Sequence, residues 1–235
     1  MNSLKKLILL ILISAVITIS GCSTCSKSCK TESLFNGRDL TGWKILGGEG
    51  NFYVENNQII GLTQKGVENS FLATEENYSD FLLELDFKVD PALNSGVQIR
   101  SDVHKKDVTC QYLSGSLEES SRTFKAGTVY GYQVEIDPSD RAWTGGLYEE
   151  GGRGWLKPPK NNPASKKAFK QNQFNHLKIM AEGSKFITWL NGVKVIETTD
   201  NKRSTGFIAL QLHKVYNPKQ ENKKVHFKNI RIKEY

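Results

Sequence analysis

Residues 81–89 read FLLELDFKV, a run in which every odd-numbered residue is apolar. The even-numbered residues from Glu84 to Lys88 are charged. Successive side chains of a β-strand point to opposite faces, so this alternation is typical of a strand with one face in a core. The stretch therefore predicts one strand of a sheet that is buried on one side.

The same period of two recurs along the chain, in short runs separated by Gly, Asn and Asp. The predicted strands are residues 51–55, 58–62, 81–89, 96–100, 130–136, 175–181, 185–190, 193–198, 206–213 and 225–233. Asn56-Asn57 and Asn191-Gly192 predict tight hairpin turns, because Asn and Gly tolerate the positive φ angles that such turns need. Since no segment carries a helical stripe of useful length, we expect an all-β fold, a two-sheet antiparallel β-sandwich of the jelly-roll type.

Two stretches without a clear strand pattern, residues 101–128 and 138–173, are longer than ordinary connections. Loops of that length inside a compact domain are uncommon unless they have a function. We expect both stretches to be loops that build the rim of a site.

The first 22 residues have the pattern of a bacterial lipoprotein leader. Two lysines precede the apolar run 7–19, and Ser20-Gly21-Cys22 resembles the site at which a lipoprotein signal peptidase cuts. We expect a signal peptide over residues 1–21, lipid on Cys22 and a polar tether over residues 22–33, the alternative being an uncleaved anchor. Several acyl chains attach a protein stably to a membrane, so the expected location is the bacterial cell envelope.

Composition limits the remaining choices for the folded part, residues 34–235. The 235-residue chain is 38% hydrophobic and 24% charged, which is typical of globular proteins and not of disordered ones. Its formal charge of +7 includes scattered lysine pairs, which indicate a solvated surface and not a nucleic-acid footprint. The four histidines are far apart in sequence, so we predict no cofactor and leave a divalent metal open.

Several predicted strands carry unusual polar groups opposite their apolar faces. These groups are Glu84, Gln98, Arg100, Gln133, Glu135, Asp137, Gln211 and His213. A solvated face usually carries Lys, Glu, Thr and Ser, whereas amides, arginine and histidine orient polar ligands through directed hydrogen bonds. If the strands lie side by side, they form a polar floor suited to a sugar. The alternative is the wet outer face of an ordinary sandwich.

Three aromatic residues, Trp143, Tyr148 and Trp155, lie in the glycine-rich stretch 142–156. Aromatic rings offer an apolar face with a polar edge, and such faces can stack on the C–H face of a sugar. We expect them either to form the rim of a binding cleft or to cap the edge of the sandwich.

Six motifs, taken in order, carry a family resemblance. They are LFNGRDLTGW at residues 34–43, NSG at 94–96 before Arg100, GYQVEID at 131–137, LNG at 190–192, GFIALQLH at 206–213 and FKNIR at 227–231. This order resembles the 3-keto-disaccharide hydrolase family over nearly the whole of residues 34–235. The resemblance implies a concanavalin A-like sandwich that acts on 3-keto-glycosides, sugars already oxidised at C3 by a partner sugar 3-dehydrogenase.

A ketone at C3 acidifies the hydrogen on C2, so a base can form an enolate that expels the aglycone from C1 by β-elimination. Water can then add to the resulting enone. Such a site needs a general base and a donor to the enolate oxygen. On positions that match the family, we assign the base to Glu135 or His213 and the enolate donor to Arg100. The residues assigned to substrate binding are Glu84, Gln98, Gln133, Asp137, Gln211, Trp143, Tyr148 and Trp155.

Two other functions are compatible with the sequence. Residues 135–140 resemble the Glu-x-Asp-x-x-Glu motif of laminarinase-type retaining glycosidases, which need two carboxyl groups about 5 Å apart. In this chain the last member is the shorter Asp140, and Pro138 is expected to end the strand before it. The other function is that of a non-catalytic carbohydrate-binding lipoprotein, which would use the same polar floor and aromatic rim.

Overall fold

The computed structural model of the chain describes residues 30–160 and 162–235. The strands are β1 (Glu32–Ser33), β2 (Trp43–Gly47), β3 (Asn51–Glu55), β4 (Gln58–Leu62), β5 (Ser70–Tyr78), β6 (Phe81–Val89), β7 (Ser95–Val103), β8 (Val108–Leu113), β9 (Glu119–Phe124), β10 (Val129–Ile136), β11 (Leu147–Glu150), β12 (Gly154–Lys157), β13 (Asn175–Glu182), β14 (Lys185–Leu190), β15 (Val193–Thr199), β16 (Gly206–Leu212) and β17 (Lys224–Glu234). A short helix α1 (Pro163–Ala168) and a 3-10 turn (Pro218–Gln220) accompany them. Within these described ranges, no helix is long and apolar enough to cross a membrane.

The strands form two sheets. Sheet 1 has eight strands in the order β15-β14-β13-β6-β17-β4-β3, with β1 paired to β17. Sheet 2 has nine strands in the order β2-β5-β16-β7-β10-β11-β12-β8-β9. Neighbouring strands are antiparallel apart from β12 and β8, which pair in parallel. This architecture confirms the predicted all-β sandwich.

The core lies between the sheets and is built from the apolar faces of alternating strands. On β6, the side chains of Phe81, Leu83, Leu85 and Phe87 are fully buried. The facing strands β7, β10 and β16 bury Val97, Ile99, Val134, Ile136, Ile208 and Leu210 to the same degree. All of these residues belong to one apolar cluster. Since burial of such a side chain is worth about 1.5–3 kcal/mol, this packing decides which face of each strand turns outward.

Both predicted hairpin turns are confirmed. Asn56 and Asn57 have φ angles of 51° and 58°, and Asn191 and Gly192 have φ angles of 49° and 84°. Positive φ at both central positions matches the twist of the flanking strands in a hairpin. The turns thereby fix the register of β3 with β4 and of β14 with β15.

The two stretches expected to be loops contain strands, so that prediction is wrong. Residues 101–128 include the end of β7 and the hairpin β8–β9, and residues 138–173 include β11, β12 and α1. In β9, which reads ESSRTF, the first five residues are exposed, so the strand shows no apolar alternation.

The amino-terminal predictions lie mostly outside the described residues. The expected signal peptide, the lipidated Cys22 and the first part of the tether belong to residues 1–29. Glu32 and Ser33, the nominal end of the tether, pair with Ile232 and Arg231 on β17. The ordered sheet therefore begins at Glu32, two residues before the expected start of the domain.

Arg100 does not lie at the polar floor, in contrast to the sequence-based prediction. Its guanidinium donates to the carbonyl oxygens of Ser79 (2.7 Å), Gly183 (2.7 Å) and Arg203 (3.2 Å) and to Asp80 (2.7 Å). These partners lie in three turns of the chain, and the Arg100 residue is 1% exposed. A bulge explains the difference, because β7 has one extra residue between Ile99 and Asp102 relative to β10, and Arg100 has a φ of 47°. Arg100 thus fastens turns together and does not donate to a ligand.

Replacing this guanidinium should destabilise the fold. Hydrogen bonds from a charged donor are worth about 1.5–3 kcal/mol each, so we expect Arg100→Met to lower the free energy of unfolding by about 3 kcal/mol or more. Urea denaturation followed by fluorescence measures the change. The exposed Arg38→Met is the matched control, expected to change stability by less than about 0.5 kcal/mol. Equal stabilities of the two variants would contradict a fastening role for Arg100.

Candidate functional site

A cavity of about 250 Å³ opens on the outer face of sheet 2, over strands β16, β10 and β11. We call it the glutamate pocket. Six residues predicted from the sequence line it: Gln133, Glu135, Tyr148, Trp155, Gln211 and His213. Seven further side chains that the sequence analysis missed also line it: Asn69, Asn94, Tyr112, Arg122, Arg141, Glu150 and Tyr216. Six of the predicted residues are therefore brought together in one cavity.

Strand register brings these side chains to one face. Gln133 on β10 lies opposite Gln98 on β7 and opposite Tyr148 on β11. Residues two apart share a face, so Glu135 joins Gln133, and Glu150 joins Tyr148. Opposite Glu135 stands Gly96, where an added Cβ would lie 2.5 Å from the Gln133 side chain. Because Gly96 has no side chain, the Gln133 amide can occupy this space.

Glu135 is held by a chain of oriented amides. Its Oε1 accepts from Asn94 Nδ2 (2.6 Å), and its Oε2 accepts from Gln133 Nε2 (3.0 Å). The Gln133 amide is oriented in turn by Gln98, whose Nε2 donates to Gln133 Oε1 (2.7 Å), and Ser101 Oγ donates to Gln98 Oε1 (2.7 Å). Burial raises the pKa of Glu135, while the two amide donors oppose that shift. Gln98 therefore acts behind Gln133 and not at the cavity wall.

Glu150 is the second carboxyl group of the pocket. Burial and the nearby negative charge of Glu135 raise the pKa of Glu150 to about 7, against the opposing effects of Arg122 and a hydrogen bond from Asn69. At neutral pH this carboxyl group can therefore both give and take a proton. The signal for it was present in the sequence, because in β11 Tyr148 and Glu150 are two residues apart, but the stretch was treated as a loop.

His213 contributes a neutral imidazole. Its Nδ1 lies 3.0 Å from the carbonyl oxygen of Lys214, which can only accept, so Nδ1 carries the proton. The other ring nitrogen, Nε2, is then an acceptor. Burial lowers the pKa of His213, which keeps the ring in this neutral form. The ring also lies against Tyr216, with centroids 5.3 Å apart.

The Gln211 amide lies beside these groups and has an unused acceptor. Gln211 is 1% exposed, and its Oε1 is buried without a hydrogen-bond donor among the described residues. A buried acceptor without a partner costs about 1–3 kcal/mol. A ligand hydroxyl would relieve that cost.

Asp137 acts through Arg141. Asp137 Oδ2 accepts from Arg141 Nε (2.7 Å), and Arg141 Nη2 lies 3.9 Å from Glu135 Oε1. The guanidinium also lies over the Trp143 ring, 4.4 Å from its centroid. Asp137 therefore positions the arginine and does not itself line the pocket. Trp143 lines a neighbouring cavity and packs edge-on against Trp155, with centroids 4.6 Å apart.

The exposed hairpin β8–β9 closes the other side of the pocket. Tyr112 on β8 is hydrogen-bonded to Tyr148 through their hydroxyl groups (3.0 Å). Gly154 on β12 pairs with Leu113, and an added Cβ at Gly154 would lie 2.2 Å from the Leu113 carbonyl oxygen. The glycine, with a φ of 77°, permits this close approach. The hairpin that the sequence analysis missed is thus a wall of the site.

Glu84 lies away from the pocket, so its predicted binding role is wrong. It belongs to β6 in sheet 1, and its Oε1 is 3.5 Å from His176 Nε2 on the outer face of that sheet. Alternation identifies the face of a strand but not the sheet to which the strand belongs.

The carboxylates of residues 135–140 have different surroundings. Glu135 lines the pocket, Asp137 is engaged by Arg141, and β10 ends at Ile136 before Pro138. Across residues 30–160 and 162–235, no group of three or more His, Cys, Asp and Glu side chains is placed to hold a metal ion.

Solved structures share the fold. A candidate glycosyl hydrolase from Parabacteroides distasonis is 20% identical, with a TM-score of 0.57 over 87% of this chain and 94% of that one. A second such structure from the same organism is 20% identical, with a TM-score of 0.52 over 88% and 100%. A Bacillus subtilis protein with a galectin-like fold is 11% identical, with a TM-score of 0.53 over 83% and 90%. These likenesses agree with the jelly-roll sandwich.

None of the curated proteins that were compared matches the sequence. A family model does match it: the 3-keto-alpha-glucoside-1,2-lyase-like domain matches residues 30–233. The match covers most of the chain, including every residue of the glutamate pocket, and supports a carbohydrate-active function. The chain therefore belongs to the 3-keto-disaccharide hydrolase family, as the six ordered motifs suggested.

Proposed function

We propose that the glutamate pocket binds a 3-keto-glycoside and cleaves its glycosidic bond by β-elimination, followed by hydration of the enone. The observation that carries this proposal is the meeting of two carboxyl groups, the buried Glu135 and the half-buried Glu150, with the neutral imidazole of His213 in one cavity. Proton transfer to and from carbon and oxygen needs such groups: the raised pKa values of the two carboxyl groups suit them to exchange protons, and the lowered pKa of His213 keeps its imidazole able to accept one. The family match supplies the class of substrate.

The first step is removal of the C2 proton. Glu135 and His213 are the two candidates for the base. Glu135 is held by Asn94 and Gln133 at fixed geometry, and its raised pKa makes the carboxylate a stronger base than an exposed one. His213 is neutral and has a free acceptor nitrogen. Substitution of each residue in turn shows which of the two is the base.

The enolate oxygen needs a donor, and Arg141 takes this role in place of Arg100. Arg141 lines the pocket, is fixed by Asp137, and comes within 3.9 Å of Glu135. A guanidinium fixed before the reaction stabilises developing negative charge without reorganisation. Tyr148 and Trp155 line the same cavity and offer ring surface to the sugar, and Gln211 offers an acceptor to a hydroxyl group.

The cellular setting is also part of the proposal. A sugar 3-dehydrogenase must supply the oxidised substrate, since no oxidation step is assigned to this pocket. The leader pattern of residues 1–22 supports a lipid anchor on Cys22 and a place in the bacterial cell envelope.

The substrate class can be tested directly. We expect the fragment of residues 30–235 to release the aglycone from a 3-keto-glucoside and to leave the unoxidised parent glucoside intact, because elimination requires the acidified C2 proton. Mass spectrometry of the released aglycone measures both reactions, and a parallel sample with EDTA reports whether a divalent metal is needed. Cleavage of the parent would instead favour a retaining glycosidase. Binding of glycan without cleavage of either sugar would favour a carbohydrate-binding protein.

The base can be identified by substitution. We expect loss of the true base, in Glu135→Gln or His213→Ala, to lower kcat by at least about 100-fold, which is the usual contribution of general base catalysis. Steady-state kinetics on a 3-keto-glucoside give the values. Glu84→Gln is the matched control, since that carboxylate lies on the other sheet, and it should keep full activity. Full turnover by both pocket variants would refute the assignment.

A further inference from the structure

A second cavity adjoins the glutamate pocket. It has a volume of about 460 Å³, and we call it the side groove. Four residues line both cavities: Asn69, Arg122, Glu150 and Tyr216. The two cavities therefore share one wall, and Glu150 belongs to it.

The two cavities differ in chemistry. The glutamate pocket has a floor of amides and carboxyl groups, whereas Phe71, Phe124 and Val129 line the side groove. Phe71 and Val129 belong to a separate apolar cluster, distinct from the core between the sheets. A ligand that spans both cavities would thus be polar at one end and apolar at the other.

Residues of β9 separate the cavities. The Arg122 guanidinium lies over the rings of Tyr112 (4.9 Å) and Phe124 (5.3 Å), and its positive charge acts on Glu150. The arginine is thereby held between a residue of the glutamate pocket and a residue of the side groove. This arrangement leaves Glu150 as the carboxyl group that faces both spaces.

We propose that the side groove binds the aglycone of the substrate, an apolar and preferably aromatic group, and that Glu150 donates the proton to the glycosidic oxygen where the two cavities meet. This inference rests on the proposed function. The base removes the C2 proton, the electron pair of that C–H bond forms the C1–C2 double bond, and the C1–O bond breaks. The departing oxygen takes the Glu150 proton and leaves as an alcohol or phenol. The Glu150 carboxylate then recovers a proton from the water that adds to C1, while C2 regains a proton.

The charge environment suits this role. The titratable groups around Glu150 are Glu135 on β10, Arg122 on β9, and the groups His213, Tyr112, Tyr148, Tyr216, Arg141, Glu68 and Lys214 that line the two cavities. Burial and Glu135 raise the pKa of Glu150 to about 7, so a large share of the carboxyl groups carry a proton at neutral pH. An acid must be protonated to act, so cleavage should decline as the pH rises above about 7.

The leaving group provides the test of the acid. We compare p-nitrophenyl and methyl 3-keto-glucosides of the same anomer with wild-type protein and Glu150→Gln. p-Nitrophenolate leaves without a proton, so the variant should keep kcat/KM within a few-fold for it and lose at least about 100-fold for the methyl glycoside. The decline of the wild-type rate above pH 7 should also appear with the methyl substrate alone.

Equal losses on both substrates would overturn the acid role of Glu150, since a structural defect does not depend on the leaving group. Wild-type protein that cleaves neither glycoside would overturn the proposed function, and the acid role with it. The two failures are therefore distinguishable.

The side groove is tested by shortening one wall. Phe124→Ala should raise KM for the p-nitrophenyl substrate by about tenfold, which corresponds to the loss of one ring contact, and leave KM for the methyl substrate unchanged. Phe174→Ala is the matched control, because Phe174 is also half-buried but lies beside Lys88 and Lys228 of sheet 1. An unchanged KM for the aryl substrate in Phe124→Ala would overturn the aglycone subsite.

Discussion

The packing of the two sheets against each other determines which side chains can reach the site. On β10, Val134 and Ile136 are fully buried in the core, so Gln133 and Glu135 must face outward. On β16, burial of Leu210 turns Gln211 outward in the same way. A shift of one residue in the register of any of these strands would turn its polar residues into the core and its apolar residues towards the site. The loss of apolar packing makes such a shift unfavourable. Packing of the apolar side chains in the core therefore fixes the orientation of the polar side chains on the outer face.

An outward face is not yet a site, because an open face would leave its carboxyl groups hydrated. The hairpin β8–β9 and the strands β11 and β12 enclose this one, and Glu135 is 5% exposed as a result. Burial is the largest cause of the raised pKa of both Glu135 and Glu150. The wall around the pocket thus creates the acid–base properties that the floor alone would lack.

The strands that pack in the core were predicted well from the sequence, and the strands that form the wall of the pocket were predicted poorly. Strands β3, β4, β6 and β14 were predicted with their observed bounds, since each alternates strictly or is bounded by Asn and Gly turns. β9 escaped prediction because its first five residues are exposed and show no apolar alternation. Glu150 was missed because β11 has only four residues and was taken as part of a loop. The prediction for Arg100 was wrong for another reason. Alternation assumes a regular strand, and the bulge in β7 turns the Arg100 side chain away from the expected face. Glu84 shows that alternation does not reveal strand order.

Two carboxyl groups that share one pocket titrate as a pair, and their surroundings decide how they divide the work. Burial disfavours the charged form of Glu135, whereas two amide hydrogen bonds and the nearby Arg141 favour it. The negative charge of Glu135 then disfavours a second charge on Glu150, which Arg122 offsets only in part. In the proposed reaction with Glu135 as the base, the first carboxyl group accepts a proton and the second donates one. The elimination would exchange their protonation states, and addition of water would restore them, so the pair needs no outside proton source to complete a cycle.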